Sequence, residues 1–234
     1  MSWKVPKIWE GGECWIIGGG PSMTRQFEIP DEVINNVVEG KTPLSAFSPY
    51  LSTLHDKHVI GVNVAYKLGP WVDIVFFGDS GFFLKNRFEL ANFKGVKSSC
   101  HHVVNGVLYQ TDGIKYVPKD NNKSRGISEQ PNKVCWNGNS GGAAINLAVL
   151  LGAKRIILLG FDMKVVEDKK HWHREYVPAG QKMNINNMHL PFHKHLIGFP
   201  IIAQDAKKRG VEILNASPQS VIDCFRKVTV KELL

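Results

Sequence analysis

The chain has 234 residues, 43% of them apolar, so it can bury one sizeable core, and we expect a single domain over residues 1–234. Its four cysteines form no C-x-x-C pair, and no signal peptide or run of about eighteen apolar residues occurs. These features exclude a disulfide scaffold, a zinc ribbon and a membrane span, and they predict a cytoplasmic protein. The formal net charge of +8 favours anionic partners, but the charges are scattered, so a nucleic acid is not the favoured partner.

Short β-branched and aromatic segments, typical of buried strands, recur with the spacing of βα units. They cover residues 14–17, 58–62, 73–77, 155–159 and 211–214. Helical periodicity occurs between them, over residues 30–40, 82–93, 139–152 and 199–210, and Thr229 and Glu232 have the spacing of a capping box for a short terminal helix. This order predicts a Rossmann-like α/β/α sandwich of three layers around a mainly parallel sheet.

Two long segments, residues 94–137 and 163–195, fit neither pattern. The second holds five of the nine histidines, His171, His173, His189, His193 and His195. Long irregular segments inside a compact domain are usually functional, so we expect active-site loops here and a histidine-rich lid at about residues 163–195. An exposed lid, or incidental metal affinity, is the alternative.

Polar or glycine-rich residues follow four of the predicted strands, at residues 18–22, 63, 78–80 and 160–162. In an open α/β sheet, ligands bind outside the carboxyl ends of the strands. The glycines of the first group leave no Cβ in the way of a phosphate or ribose, and Pro21 suits the start of the next helical turn. We therefore predict a nucleotide site, with a plain chain-reversing turn as the alternative. Met23 replaces the third glycine of G-x-G-x-x-G and no G-K-[ST] occurs, so neither NAD nor a Walker site is indicated.

The helix predicted over residues 139–152 begins with small side chains. Asn139 or Ser140 can cap it, and Gly141 and Gly142 leave its first turn nearly bare. A bare helix N-terminus suits an anionic or closely packed ligand, and small residues equally let a helix pack tightly on a sheet.

Five motifs occur in an order that resembles the bacterial sialyltransferases that use CMP-sialic acid. They are "WIIGGGPSM" from residue 15, "VIGVN" from 59, "NSGGAAINLAVLLGAKRIILLGFDM" from 139, "HLPFH" from 189 and "VEILNASPQS" from 211. The order is similar in a wider superfamily that includes the archaeal 6-hydroxymethyl-dihydropterin diphosphokinase-like proteins and related chains in phage genomes. The resemblance implies a GT-A-like variant of the fold, with His189 as general base and His193 completing an H-x-x-x-H pattern. It also implies that Gly18 to Ser22, Asn63 and Ser140-Gly141 surround the nucleotide.

Two departures from the sialyltransferase pattern concern charge. Lys164 and Lys170 occupy positions where those enzymes have tyrosines that steady the departing phosphate, and two lysines suit a donor with more than one phosphate. Asp79 stands where the sialyltransferases carry no charge. Together with Asp162 it could hold Mg²⁺ on a nucleoside triphosphate, as the diphosphokinase-like proteins imply, or Asp162 caps the turn after its strand.

The sequence thus predicts a glycosyltransferase that moves a sugar from a nucleotide-activated donor to an acceptor hydroxyl and requires no cofactor. The alternatives are an Mg²⁺-dependent diphosphokinase and a non-catalytic binding or virion-associated protein. The predicted catalytic residues are His189, His193, Lys164 and Lys170. The predicted nucleotide-binding residues are Gly18, Gly19, Gly20, Pro21, Ser22, Asn63, Asp79, Ser140, Gly141 and Asp162.

Overall fold

A computed structural model describes residues 2–101, 112–176 and 191–234. Eight strands of these residues form one sheet in the order β5-β4-β3-β2-β1-β6-β7-β8, and every neighbouring pair is parallel. The strands are β1 (Glu13–Ile17), β2 (Val59–Val62), β3 (Ile74–Phe77), β4 (Val96–Ser99), β5 (Lys115–Tyr116), β6 (Arg155–Leu159), β7 (Glu212–Asn215) and β8 (Arg226–Lys227). The fold class predicted from the sequence is confirmed.

Helices cover both faces of the sheet. The α-helices are α1 (Ser22–Gln26), α2 (Asp31–Glu39), α3 (Ser80–Asn92), α4 (Ser140–Leu150), α5 (Phe192–Leu196) and α6 (Phe199–Lys208). Within the described ranges, three 3₁₀ helices add to them, Leu44–Leu54, Asn63–Leu68 and Val230–Glu232. None of the helices in the described part of the chain is long and apolar enough to cross a membrane.

Alternate residues of the strands pack into two separate cores. On β1, Trp15 and Ile17 join α2, α3 and the three 3₁₀ helices, whereas Cys14 and Ile16 join α4 and α6 on the other face. All four side chains are fully buried. This alternation follows from the two-residue period of a strand, and it explains why strands covered on both faces appear in the sequence as continuous apolar runs.

The strand order places a crevice between β1 and β6. From β1 the chain proceeds to β2 on one side, and from β6 it proceeds to β7 on the other, so the loops after β1 and β6 diverge to opposite faces of the sheet. Ligands of open α/β sheets bind at such a point. Here the crevice is bordered by the glycine loop (residues 18–20) and by Gly160, Phe161 and Asp162.

Most predicted elements are confirmed, with three corrections. Helix α3 begins at Ser80 rather than at residue 82, because Asp79 caps it by accepting a hydrogen bond from the Phe82 N–H at 2.7 Å. The terminal capping box of Thr229 and Glu232 is present, but the helix that it begins is a 3₁₀ turn. The segment from 94 to 137, where we expected active-site loops and predicted no strand, contributes two strands to one edge of the sheet.

Candidate functional site

A cavity of about 640 Å³ lies at the carboxyl ends of β1, β2, β3 and β6 and at the N-terminus of α4. Ten of the residues predicted from the sequence line it: Gly18, Gly19, Gly20, Asn63, Asp79, Ser140, Gly141, Asp162, Lys164 and Lys170. The fold therefore brings together residues from five separate segments of the chain.

Four other predicted residues stand apart from that set. Among the described residues, Pro21 and Ser22 do not line the cavity, because they begin α1 behind the glycine loop. His193 lies exposed on α5, outside the cavity lining. His189 lies outside the described residues, as does much of the expected lid.

The glycine loop packs closely against the loop after β6. A Cβ on Gly18 would lie 2.7 Å from the Gly160 carbonyl oxygen, and one on Gly20 would overlap the Asp162 carboxylate. The N–H groups of both glycines are already engaged, at 2.8 Å, with the carbonyls of Leu159 and Gly160. These two N–H groups therefore bind β6 and its loop, which leaves them unable to cradle a phosphate.

Asp162 links the two loops across the crevice. Its side chain is only 1% exposed, and Oδ2 accepts a hydrogen bond from the Ser22 N–H at 3.0 Å. Oδ1 is buried with no hydrogen-bond partner among the residues described. Burial raises the pKa of this carboxyl, and the hydrogen bonds from Ser22 and the charge of Lys164 partly oppose that shift. Asp162 joins β6 to the glycine loop, which corrects the alternative that it caps its own turn.

The N-terminus of α4 forms one wall of the cavity. Asn139 caps it, with Oδ1 accepting a hydrogen bond from the Gly142 N–H at 2.7 Å, while its Nδ2 donates to the His195 carbonyl at 3.3 Å. The N–H groups of Ser140 and Gly141 have no acceptor within the helix, because the first turn of any α-helix lacks one. Lys164 and Lys170 line the same cavity. The helix N-terminus makes this wall suited to a phosphate, and the two lysines add positive charge to the cavity as a whole.

The segment His171–Trp172–His173 covers the glycine loop. The Trp172 indole donates to the Gly18 carbonyl at 2.8 Å, and its backbone N–H donates to the Gly19 carbonyl at 3.1 Å. The His171 ring packs above Gly19, where a Cβ would lie 2.8 Å from its Nδ1. Thus the absence of a side chain at Gly19 leaves room for the His171 ring, a contact that sequence reasoning did not predict.

The two imidazole rings stack and have opposite tautomers. Their centroids are 5.1 Å apart at an interplanar angle of 9°. His171 Nδ1 lies 3.2 Å from the Gly19 carbonyl, which can only accept, so this nitrogen carries a proton. His173 Nδ1 accepts from the Glu175 N–H at 3.2 Å, so the proton of its neutral ring is on Nε2. Burial lowers the pKa of His171 to about 4 and lowers that of His173 well below its usual value.

Asn63 and Tyr176 complete this side of the cavity. Asn63 follows β2 with a positive φ of 53°, and its Nδ2 donates to the Tyr176 hydroxyl at 3.0 Å. The Tyr176 ring lies edge-on to His173, with centroids 4.9 Å apart. Asn63 Oδ1 is buried and has no partner among the described residues. The neighbouring cation Lys67 is paired with Glu89 and Glu175, at 2.5 and 3.0 Å.

The carboxylates at the cavity do not form a dense metal cluster. Asp79 is exposed and uses Oδ1 to cap α3. Over residues 2–101, 112–176 and 191–234, no group of three or more His, Cys, Asp or Glu side chains is arranged to hold a metal ion. A metal bound by Asp79 and Asp162 would therefore take most of its ligands from water or from a substrate phosphate.

Sequence reasoning missed several residues of the cavity lining, among them Phe82, Lys85, Trp136, Glu175 and Tyr176. For one of them, Trp136, the sequence holds an indirect sign, which is the glycine that it packs against. Gly78 follows β3, and a Cβ there would overlap the Trp136 ring, so the glycine marks a close approach. The other residues reach the cavity through tertiary contacts that no local pattern indicates.

The fold is similar to those of solved glycosyltransferases. A MAf glycosyltransferase from Magnetospirillum magneticum AMB-1 matches 100% of this chain with a TM-score of 0.61 and 12% identity. The chain spans only 36% of that protein's length. The sialyltransferase CstII from Campylobacter jejuni, in complex with CMP-3FNeuAc, matches 93% of this chain and 86% of its own with a TM-score of 0.52 and 17% identity.

A third similar structure is the monofunctional alpha-2,3-sialyltransferase Cst-I from Campylobacter jejuni. It matches 93% of this chain and 80% of its own with a TM-score of 0.53 and 17% identity. Comparison of the sequence with models of known families finds no match, and neither does comparison with curated proteins. At these identities the structural similarity shows a shared fold.

Proposed function

We propose that this chain is a glycosyltransferase that moves a sugar from a nucleotide-activated donor to an acceptor hydroxyl. The observation that carries the proposal is the cavity at the β1–β6 crevice, which is lined by a bare helix N-terminus and by two lysines. The fold supports it, since proteins of the same fold include glycosyltransferases, one of them in complex with a CMP-sugar analogue. The donor's base and sugar follow from neither observation, so the proposal concerns the class of donor.

The phosphate of the donor binds, in this proposal, at the N-terminus of α4. Ser140 and Gly141 contribute backbone N–H groups, and Lys164 and Lys170 contribute positive charge. Such groups stabilise the negative charge that develops on the phosphate as the bond to the sugar breaks, which lowers the barrier to transfer. A diphosphate suits two lysines better than a monophosphate does.

The acceptor hydroxyl requires a base, and His189 is our proposal for it, although it lies outside the described residues. As the hydroxyl oxygen forms its bond to the sugar carbon, the bond from that carbon to the phosphate oxygen breaks, and the hydroxyl proton passes to the imidazole. The nucleotide leaves with the electron pair of the broken bond. An ordinary histidine pKa near 6.5 leaves such a base largely neutral at pH 7.

The Mg²⁺-dependent diphosphokinase remains a second candidate because Asp79 and Asp162 both line the cavity and Asp162 Oδ1 has no partner among the described residues. It differs from the first in its products and in its need for a metal. A diphosphokinase releases AMP from ATP and is inactive in excess EDTA, whereas the proposed transferase works without a metal.

The first experiment is a thermal-shift panel of CMP, UDP, GDP, ADP and ATP, with and without Mg²⁺. A ligand at a hundred times its Kd stabilises the folded protein by about 2.7 kcal/mol, so binding is readily detected. We expect a nucleotide to bind without Mg²⁺, and the Lys164→Ala/Lys170→Ala variant to bind it about tenfold or more weakly. Lys169→Ala is the matched control, because Lys169 is an adjacent lysine outside the cavity lining.

Turnover separates the candidates. His189→Ala should keep the affinity for the nucleotide and lower sugar transfer or donor hydrolysis about a hundredfold. Release of AMP from ATP that requires Mg²⁺ would instead establish the diphosphokinase. A parent protein that binds nucleotides but turns over neither class of substrate would favour the non-catalytic alternative.

A further inference from the structure

We infer that His173 is a specificity-determining residue whose Nε2–H donates a hydrogen bond to an uncharged oxygen acceptor of the donor, either a nucleobase carbonyl or a sugar oxygen. This inference rests on the proposed function and adds to it the class of group that occupies the glycine-loop side of the cavity. The resemblance to the sialyltransferases assigns no role to this histidine.

The first step is that His173 has an unused donor in the cavity wall. Its side chain is 1% exposed and lines the cavity, yet Nε2 is buried with no partner among the residues that the structure describes. A buried polar group without a partner is costly, so native proteins rarely keep one without a reason. A ligand that accepts this hydrogen bond supplies such a reason.

The second step is that the ring is held so that Nε2, and not Nδ1, is the free donor. The Glu175 N–H donates to Nδ1 at 3.2 Å, which fixes the tautomer. Stacking on His171 and edge-on contact with Tyr176 fix the plane of the ring. Nε2 lies on the Gly19 side, 3.7 Å from where a Cβ of that glycine would be. A rigid donor of this kind selects its acceptor more sharply than a mobile side chain does.

The third step is that this side of the cavity does not favour an anion. Lys67 is paired with Glu89 and Glu175, and Lys85 donates to the Glu175 carbonyl, so the two lysines whose charge acts on His173 are both engaged. Glu175, which carries a negative charge, is itself a residue of the cavity lining. Asn63 lies beside Tyr176, which contacts the His173 ring. The Oδ1 of Asn63 is buried without a partner among the described residues, so it is a free hydrogen-bond acceptor on this side of the cavity. The His173 Nε2–H donor and the Asn63 Oδ1 acceptor are both uncharged, so together they suit a neutral polar group of the ligand. The phosphate is proposed to bind at α4 instead.

The test compares His173→Phe with the parent by isothermal titration calorimetry. Phenylalanine keeps the ring and its stacking but removes the Nε2–H. With CMP, UDP, GDP and ADP, or with CMP-sialic acid, UDP-glucose and GDP-mannose, we expect about tenfold or greater loss of affinity for those ligands that the parent binds. Binding of pyrophosphate should not change. His58→Phe is the matched control, because that ring also stacks, on Trp9 at 5.0 Å, but lies outside the cavity lining.

The arms of the experiment distinguish the two sources of the acceptor oxygen. Loss with the free nucleotides assigns it to the nucleoside, and loss only with the nucleotide sugars assigns it to the transferred sugar. His173→Gln retains an amide N–H donor and should recover most of the affinity. A glutamine variant as weak as the phenylalanine one would attribute the loss to packing and overturn the inference.

Two further outcomes separate this inference from the proposed function. If the parent binds these ligands and His173→Phe binds both the nucleotides and the nucleotide sugars with the same affinity as the parent, the inference fails and the proposed function stands. If the parent binds none of these ligands, the proposed function fails, and the inference with it. Thermal unfolding of each variant shows whether it is folded. Phe removes the unpartnered Nε2–H but also the Nδ1 that accepts from the Glu175 N–H, so we expect a folded protein of somewhat lower stability.

Discussion

The three adjacent glycines after β1 have different structural roles. Gly18 and Gly20 allow the chain to approach the Gly160 carbonyl and the Asp162 carboxylate, which are parts of the loop after β6. Gly19 instead faces the His171 ring. Backbone cannot move aside without disturbing the sheet, whereas a side chain can, so the three positions should respond differently to the same substitution.

We therefore predict that Gly20→Ala lowers the free energy of unfolding by about 2 kcal/mol or more, because the new methyl group overlaps Asp162 and lies 2.7 Å from the Gly160 carbonyl oxygen. Gly19→Ala should cost about 1 kcal/mol or less, because His171 can shift. It should nevertheless weaken nucleotide binding, since the displaced ring lines the cavity.

Thermal denaturation and calorimetric titration of the two variants check these expectations. A Gly19→Ala protein with parental affinity would mean that the His171 position has no bearing on the ligand. Equal stability losses at the two positions would contradict the distinction between backbone and side-chain neighbours.

At this scale the sequence predicted which residues line the cavity better than it predicted what each one contacts. Gly18 to Gly20, Asn63 and Ser140 follow from the rule that ligands bind at the carboxyl ends of parallel strands. The cover over Gly19 could not be predicted, because His171 lies 152 residues away along the chain. Its position depends on tertiary packing that has no local pattern.

Elements differ in how clearly the sequence marks them. The five predicted strands are almost wholly buried, and each contains consecutive apolar residues that mark it in the sequence. The strands β4, β5 and β8 were missed because "VKSS", "KY" and "RK" lack such a run. β5 and β8 are the two edges of the sheet, where polar residues also discourage pairing with other chains.

Helix α4 shows how one element serves both packing and binding. Its small residues let it lie close to the sheet, since a Cβ on Gly141 would lie 2.8 Å from the Phe161 ring. The same closeness brings the N-terminal N–H groups to the cavity wall. Tight packing on the sheet and ligand binding, the two explanations that the sequence left open for these glycines, are therefore compatible. Only a binding experiment can test the role in ligand binding.

A charge placed at the first position of α4 tests whether the donor phosphate binds there. Ser140→Asp places a carboxylate where the donor phosphate is proposed to bind, and Ser140→Asn places a neutral group of the same shape there. We predict that the aspartate variant binds nucleotides about tenfold or more weakly than the asparagine variant, because like charges a few ångströms apart repel.

The stability of the two Ser140 variants should show the opposite order or no difference, since a negative charge favours a helix N-terminus by about 0.3–1 kcal/mol. Calorimetric titration and chemical denaturation measure the two quantities. Equal affinities for the nucleotide in both variants would place the phosphate elsewhere in the cavity.

For the whole molecule, the sheet order and the buried histidines act together. The crevice between β1 and β6 exists because the strand order reverses there, and the segment from His171 to His173 covers the loop on its β1 side. Two imidazoles are thereby removed from water beside Lys67, Lys85 and Lys170, which also disfavour protonation. The unfolded chain has no such environment, so proton uptake by these two rings accompanies unfolding.

This coupling predicts that the protein loses stability as the pH falls from about 6.5 to 5. In the unfolded chain both rings titrate near 6.5, whereas burial lowers the pKa of His171 to about 4 and that of His173 well below its usual value. The unfolded state therefore binds more protons over this range, and the free energy of unfolding must decrease as the pH falls, by up to about 1.4 kcal/mol per pH unit for each ring. Most carboxylates remain ionised above pH 5, so this range isolates the histidines.

Denaturation at several pH values should show a shallower slope for the His171→Phe/His173→Phe variant, with a residual slope from His195, whose pKa burial also lowers. Identical slopes in the parent and the double variant would mean that the two rings are protonated in the folded protein, contrary to the tautomers assigned from their hydrogen bonds.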